Sequence, residues 1–256
     1  MTIQTQVSTE QPVERVHLAA AYRLIAEFGM DDSIFTHISA KAPASEGKDA
    51  FLINPYGLRF DEVTASNLVT VDIHGNILRD DYGQGINKAG FTIHSAVHMA
   101  RPDVHCVLHT HTVAGVAISS TEEGLLPLNQ WSLEFYDRIA FHDYEGIALN
   151  LEERERLIAD LGDKMIMILR NHGLMTCGTS VGDAFKAMYN FERACQAQLA
   201  IMASGMKPRF VPHELAEFTA GQGEAWAAKH EASGKPDPEW EAYLRLAKKR
   251  CPDFDS

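Results

Sequence analysis

The chain has 256 residues, enough for one large domain or two small ones with an ample core. Apolar residues make up 45% and charged residues 23%, which excludes a fibrous or disordered chain and fits a soluble globular one. A formal net charge of −12 argues against nucleic acid and anionic membrane as partners. An acidic small molecule would need local positive charge or a metal ion to overcome that field.

Met1 to Glu14 carries no basic n-region and no apolar h-region, and no stretch approaches the ~20 apolar residues that cross a bilayer. Cys106, Cys177, Cys195 and Cys251 form no CxxC pair and no dense framework, a usage that points to the reducing cytoplasm.

Val13, Val16, Ala20, Leu24 and Phe28 recur at helical spacing, with Gly29 as the stop. "IFTHISAK" (34–41) and "AFLINP" (50–55) read as strands around a polar turn. "DEVTASNL" (61–68) reads as a cap and helix start, with Thr64 or Ser66 supplying the hydroxyl. "LVTVDIHGNI" (68–77) alternates and turns at His74-Gly75-Asn76, which suggests a hairpin. "AGFTIHSAVHMA" (89–100) places Phe91, Ile93, Ala96, Val97 and Ala100 near one helical face, ended by Arg101-Pro102-Asp103.

"VHCVLHTH" (104–111) is an apolar, β-branched strand, and a short helix over "TVAGVAISS" follows it. "QWSLEFYDR" (130–138) is an aromatic segment ahead of a strand. "KMIMILRNHGL" (164–174) reads as a second buried strand, and a long helix starts after the turn "CGTSVG". From Lys207 the composition shifts to Pro, Glu, Ala and Lys. Two short helices near Leu215–Lys229 and Pro238–Lys249 give a division into a domain over 13–206 and a polar helical extension over 207–256. Strands interleaved with helices, a hairpin among them, predict a layered α/β fold with a mixed, mostly antiparallel sheet.

A strand projects residues i and i+2 to one face, so His109 and His111 point the same way. The pair alone says little, because 12 histidines in 256 residues give about half of one His-x-His by chance. His105 shares the parity, but three histidines along one straight strand cannot easily close on one ion. His172, at the end of the second strand-like segment and just before a glycine, could supply the third nitrogen. Three neutral imidazoles with open positions suit Zn²⁺, and also Fe²⁺ or Mn²⁺ with added waters. The competing reading is a pair of strand-end histidines donating to backbone carbonyls.

"FLINPYGLRFDEVTASNLVTVD", "RPDVHCVLHTHTVAGVAIS" and "LRNHGLMTCGTSVGDAF" together resemble the class II aldolase/adducin family, over about Val16 to Ala203. "INKAGFTIHSAVHMARPD" and the polar tail are closer to its adducin-like branch. The resemblance implies a three-histidine metal site at His109, His111 and His172, a homo-oligomer, often a tetramer, and a class II aldolase-like fold. In such aldolases a Glu on the helix before the His-x-His strand moves the proton. Here that position is Gly90, between Ala89 and Phe91, so the acid/base residue is missing.

His94, one turn beyond Gly90, is the first substitute, with His98, Glu134, His142, Asp143 and Tyr144 as further candidates. The family's phosphate loops carry Thr36-His37, Tyr56-Gly57 and Lys88-Ala89 in this chain, which argues against a sugar phosphate. His37 and Lys88 could bind a carboxylate, with Tyr56 and Gly57 lining the pocket. A metal-dependent lyase, decarboxylase or aldolase-like, acting on a small oxo- or hydroxy-acid fits best. A non-haem iron oxygenase and a non-catalytic adducin-like module are the alternatives.

Overall fold

The computed structural model describes residues 11–47, 49–146 and 152–256. Eight strands form one sheet: β1 (His37–Lys41), β2 (Ala50–Ile53), β3 (Val69–Asp72), β4 (Ile77–Arg79), β5 (Cys106–Thr110), β6 (Ile139–His142), β7 (Ile166–Leu169) and β8 (Gly173–Gly178). Their order is β4-β3-β2-β1-β5-β8-β7-β6. Every neighbouring pair is antiparallel except β6–β7, so the sheet is mixed and mostly antiparallel, as the sequence predicts.

Helices cover both faces. On one face α1 (Val13–Glu27), α3 (Val113–Ser119), α6 (Val181–Ala203) and α8 (Pro238–Arg250) pack a large core with Ile38, Leu52, Leu108, Ile168 and Leu174. On the other, α2 (Lys88–Ala100) and α5 (Glu153–Leu161) bury Ile93, Val97, Leu157 and Leu161 against Val107, Met167 and Met175. The alternation of Leu108 to the first face and Val107 to the second is the period-2 projection of β5. Two further helices, α4 (Gln130–Leu133) and α7 (His213–Ala232), complete the chain.

Four expectations change. No helix starts in "DEVTASNL": a short 3-10 turn covers Phe60–Glu62, and the Asn67 side chain accepts from the Thr64 amide (3.0 Å) and donates to the Glu62 carbonyl (3.0 Å). Local side-chain bonding of this kind competes with helix and wins here. "IFTHISAK" becomes extended only at His37, because Ser33 and Thr36 take positive φ (53° and 66°). "KMIMILRNHGL" is not one strand. It is β7, a turn with Asn171 at φ 56°, and the first residues of β8, a strand that also takes up the Cys177-Gly178 expected in a turn. The helix α5 has no counterpart in the sequence reading.

The tail helices form at the expected places. The second is not superficial: Trp240, Leu244, Ala247 and Phe254 are buried in the same core as α1 and α6. Asp237 caps α8 by accepting from the Glu239 and Trp240 amides, with Pro238 in the first turn.

Candidate metal centre

The antiparallel register sets His37 of β1 directly opposite His109 of β5, so both side chains rise from the same face of the sheet. His111 lies one residue beyond β5. There Thr112 caps α3, accepting from the Gly115 amide (3.0 Å) and donating to Glu192, which turns the chain and fixes where His111 points. His172 arrives from the turn before β8, the strand on the other side of β5. Gly173 is what lets that turn come so close. A Cβ there would overlap the Thr110 carbonyl oxygen and stand 3.2 and 3.3 Å from the His111 and His109 rings.

One ring nitrogen from each of His109, His111 and His172 lies within 4.8 Å of the others. Their hydrogen bonds decide which nitrogens are free. His109 Nδ1 sits 2.8 Å from the Leu174 carbonyl oxygen, which can only accept, so Nδ1 carries the proton and Nε2 the lone pair. His111 Nδ1 faces Asp32 Oδ2 at 3.1 Å and is the donor by the same logic. Both Nε2 lone pairs then meet at 2.8 Å. Two lone pairs that close repel unless a proton or a metal ion lies between them. A tetrahedral zinc would hold two such nitrogens about 3.3 Å apart, so a small opening of the pair admits it. A carbonyl or carboxylate behind each ligating imidazole is also the usual support of a metal-bound histidine. The donor set therefore fits a divalent ion.

Burial favours the neutral, metal-binding form of His109 and His172. His172 is lowered to about 4 by burial and then by the nearby His111 and His142. His109 is pushed well below its ordinary value by burial and by His172, His111 and His37.

His37 is 5% exposed, lowered to about 3 by burial and then by His111 and His172, and its ring stacks toward His109 with centroids 6.4 Å apart. Neither of its ring nitrogens has a hydrogen-bond partner among the described residues. His94, fully buried and also held neutral by burial, sits edge-on to His37 at 5.7 Å. Its Nδ1 pairs with Ser39 Oγ (2.6 Å), which also pairs with His98 Nε2 (2.8 Å).

The remaining predicted site residues lie around this centre. Tyr144, 55% exposed, has its ring 6.4 Å from that of His172. The Tyr56 amide donates to the Gly85 carbonyl (3.0 Å), tying the Tyr56-Gly57 turn to the segment that leads into α2, whose first residue is the exposed Lys88. No hydrogen bond or ring contact joins Tyr56, Gly57 or Lys88 to the three histidines among the described residues. His142 is held by Asp160 (2.7 Å at Nδ1) with Glu153 3.6 Å from Nε2, and the exposed Asp143 pairs with Arg170. Glu134 bonds Asn190 and lines a separate groove of about 1340 Å³. Asp32 and the Leu174 carbonyl escape sequence reasoning, since neither stands in a motif with the histidines.

Residues 16–199 match the model of the Class II Aldolase and Adducin N-terminal domain. The chain belongs to this family. It is 53% identical over 213 residues to a Pseudomonas aeruginosa protein whose name offers class 2 aldolase only provisionally, covering 83% of this chain and 81% of that one. Mouse alpha-adducin is 41% identical over 230 residues, 89% of this chain but 31% of the adducin. Among solved structures, an aldolase II superfamily protein from Pseudomonas syringae superimposes with a TM-score of 0.87 at 47% identity, covering 98% of both chains. An L-fuculose 1-phosphate aldolase from Glaciozyma antarctica gives 0.80 at 28% identity, covering 98% of this chain and 94% of that one. The class II aldolase fold and the kinship with adducins, both expected from the motifs, are thereby established.

Proposed function

We propose that this chain is a divalent-metal-dependent carbon–carbon lyase acting on a small oxo- or hydroxy-carboxylic acid, with His109, His111 and His172 as metal ligands and zinc as the ion. The observation that carries the reading is the pair of fixed tautomers: Leu174 and Asp32 turn two lone pairs onto one point that His172 also faces. When bound by His109, His111 and His172, such an ion would supply Lewis acidity to the substrate. The chain's residues orient the ligating nitrogens and set the substrate's orientation. Tyr144 stands at the rim, and Tyr56, Gly57 and Lys88 belong to the loops through which the carboxylate enters. With no carboxyl group possible at Gly90, proton delivery to the product falls to water or to the buried imidazoles His37 and His94, and decarboxylation asks least of them.

The kinship with an L-fuculose 1-phosphate aldolase supports the lyase class. The substitution of Thr36-His37, Tyr56-Gly57 and Lys88-Ala89 into the phosphate loops supports a carboxylate rather than a sugar phosphate. An oxygenase is the lesser reading, because the common non-haem iron set uses two histidines and a carboxylate. Here the carboxylate of Asp32 faces His111 Nδ1 and so lies behind the ligand. The 41% identity to mouse alpha-adducin supports a second reading, a non-catalytic oligomeric module. In either case the chain works as a homo-oligomer, a tetramer by resemblance, in the cytoplasm.

Elemental analysis of protein purified without chelator, followed by aerobic and anaerobic turnover of an oxo- and hydroxy-acid panel, tests the reading. One zinc per chain and oxygen-independent cleavage are expected. Strict oxygen dependence would move the assignment to the oxygenase. Absence of metal in the wild type, or metal content unchanged by His109→Ala, would remove the site.

A further inference from the structure

Gly90 and His37 compete for one volume. A Cβ built on Gly90 would stand 2.5 Å from three atoms of the His37 ring, Cγ, Cδ2 and Nδ1. Real Cβ contacts do not come so close, so any side chain at position 90 expels the imidazole. Gly90 is buried in the first turn of α2 at normal helical φ, where its cost to helix stability relative to alanine is about 1 kcal/mol. No turn requires it. What requires it is the ring.

Neighbours on β5 and α2 hold the ring in place. β1 register sets it opposite His109. His94, four residues along α2 from Gly90, closes the space edge-on and is itself locked by Ser39, the next residue of β1 on the same face. Ser39 in turn holds His98, four residues further along the helix. Yet the imidazole so carefully housed satisfies neither of its own nitrogens. Buried polar groups are almost always paired, and an unpaired one in a native fold calls for a ligand. Thr36, the residue before it, adds to the case: a β-branched residue held at φ 66° with its hydroxyl also buried and unpartnered. Backbone strain of this kind persists where the surroundings impose it, and it clusters at ligand sites.

We infer that Gly90 serves to admit the His37 imidazole beside the three-histidine cluster, and that a His37 ring N–H donates to a carboxylate oxygen of the substrate. His37 is then a substrate-contacting, specificity-determining residue, and Gly90 its positioning partner. This assignment rests on the proposed metal site for the location of the substrate. It does not rest on it for the packing exchange.

Two measurements decide it. The first is a double-mutant cycle on metal-free protein by thermal unfolding. Gly90→Ala in the wild-type background lowers the midpoint by about 3–10 °C through overpacking, and in a His37→Ala background it costs almost nothing. Equal costs in both backgrounds would overturn the exchange whatever the fate of the metal reading. The second is calorimetric titration of glycolate into zinc-loaded protein. His37→Ala weakens binding about tenfold to a hundredfold with zinc stoichiometry unchanged, and His37→Gln, which keeps an N–H donor, recovers part of it. Unchanged glycolate affinity in zinc-loaded His37→Ala would reduce His37 to a filler and overturn the substrate role. A wild type that takes up no zinc defeats the metal reading and the substrate role with it, while the cycle still rules on the fit.

Discussion

Replacing Asp32 by alanine weakens metal binding without touching a ligand. Its Oδ2 lies 3.1 Å from His111 Nδ1, and the imidazole puts the ion a further ring-width and one bond away, so carboxylate and ion are roughly 6–7 Å apart. The Asp32 side chain is 43% exposed, which places the effective dielectric constant at about 40–80 for this pair. For a dication the lost attraction is then about 1.3–2.6 kcal/mol, or roughly tenfold to eightyfold in affinity, within the range usual for partners behind a metal ligand. Asp32→Asn keeps an acceptor oxygen for Nδ1–H and loses only the charge, so it falls between wild type and alanine. Competition with a chromophoric chelator, using zinc at two salt concentrations, measures both variants. An Asp32→Ala affinity within twofold of wild type would refute the tautomer argument, because His111 Nδ1 would then not depend on this carboxylate for its proton.

Gly173→Ala pushes β8 away from β5 at the Thr110 carbonyl and crowds two imidazoles, so thermal stability falls by about 3–10 °C and zinc affinity falls with it; an unchanged midpoint would contradict the contact. Trp240→Ala opens a cavity between α8 and α6 and costs about 3–5 kcal/mol in urea unfolding, a loss that a merely peripheral tail would not show. The metal-free protein loses stability as the pH falls from about 6.5 toward 4. In that window the unfolded chain protonates histidines that the fold keeps neutral, His172 down to about 4 and His37 and His98 down to about 3. Each contributes up to about 1.4 kcal/mol per pH unit to the slope, and a urea midpoint flat between pH 7 and 5 would count against the burial of these rings.

What could be read from the sequence was what repeats locally. The alternation of "VHCVLHTH" gives β5 and the shared face of His109 and His111, and the periodicity of "AGFTIHSAVHMA" gives α2. His172 comes from an Asn-His-Gly turn, not from the end of a long strand, so strand periodicity alone does not place it beside His109 and His111. Asp32 stands 79 residues from His111 in a loop with no periodic signal, so only the fold brings the two together. Likewise the loss of a side chain at Gly90 is visible in one dimension, while the ring that takes its volume comes from a strand 53 residues earlier. The burial of Trp240 was hidden by composition, since α8 is polar on every face but one narrow stripe.

The charge of the chain and the charge of the site pull in opposite directions, and the ligand set reconciles them. A net charge of −12 repels small acids at long range, but at physiological salt that field decays within about 8 Å of the surface. Inside the site the balance reverses. Three neutral imidazoles would leave a bound dication's two positive charges undiminished, and the Asp32 carboxylate faces His111 Nδ1 rather than the point between the rings. A carboxylate ligand in place of any histidine would halve that charge and weaken the hold on an anionic substrate. In the proposed site, neutral ligands would do two things at once: free lone pairs for the metal, and preserve the positive potential that an acid substrate would need within a strongly acidic protein. The same reasoning suits His37 to the neutral-donor role proposed for it. Beside a dication a second positive charge would be expelled, whereas an uncharged N–H can sit against the cluster and still direct a carboxylate oxygen toward it.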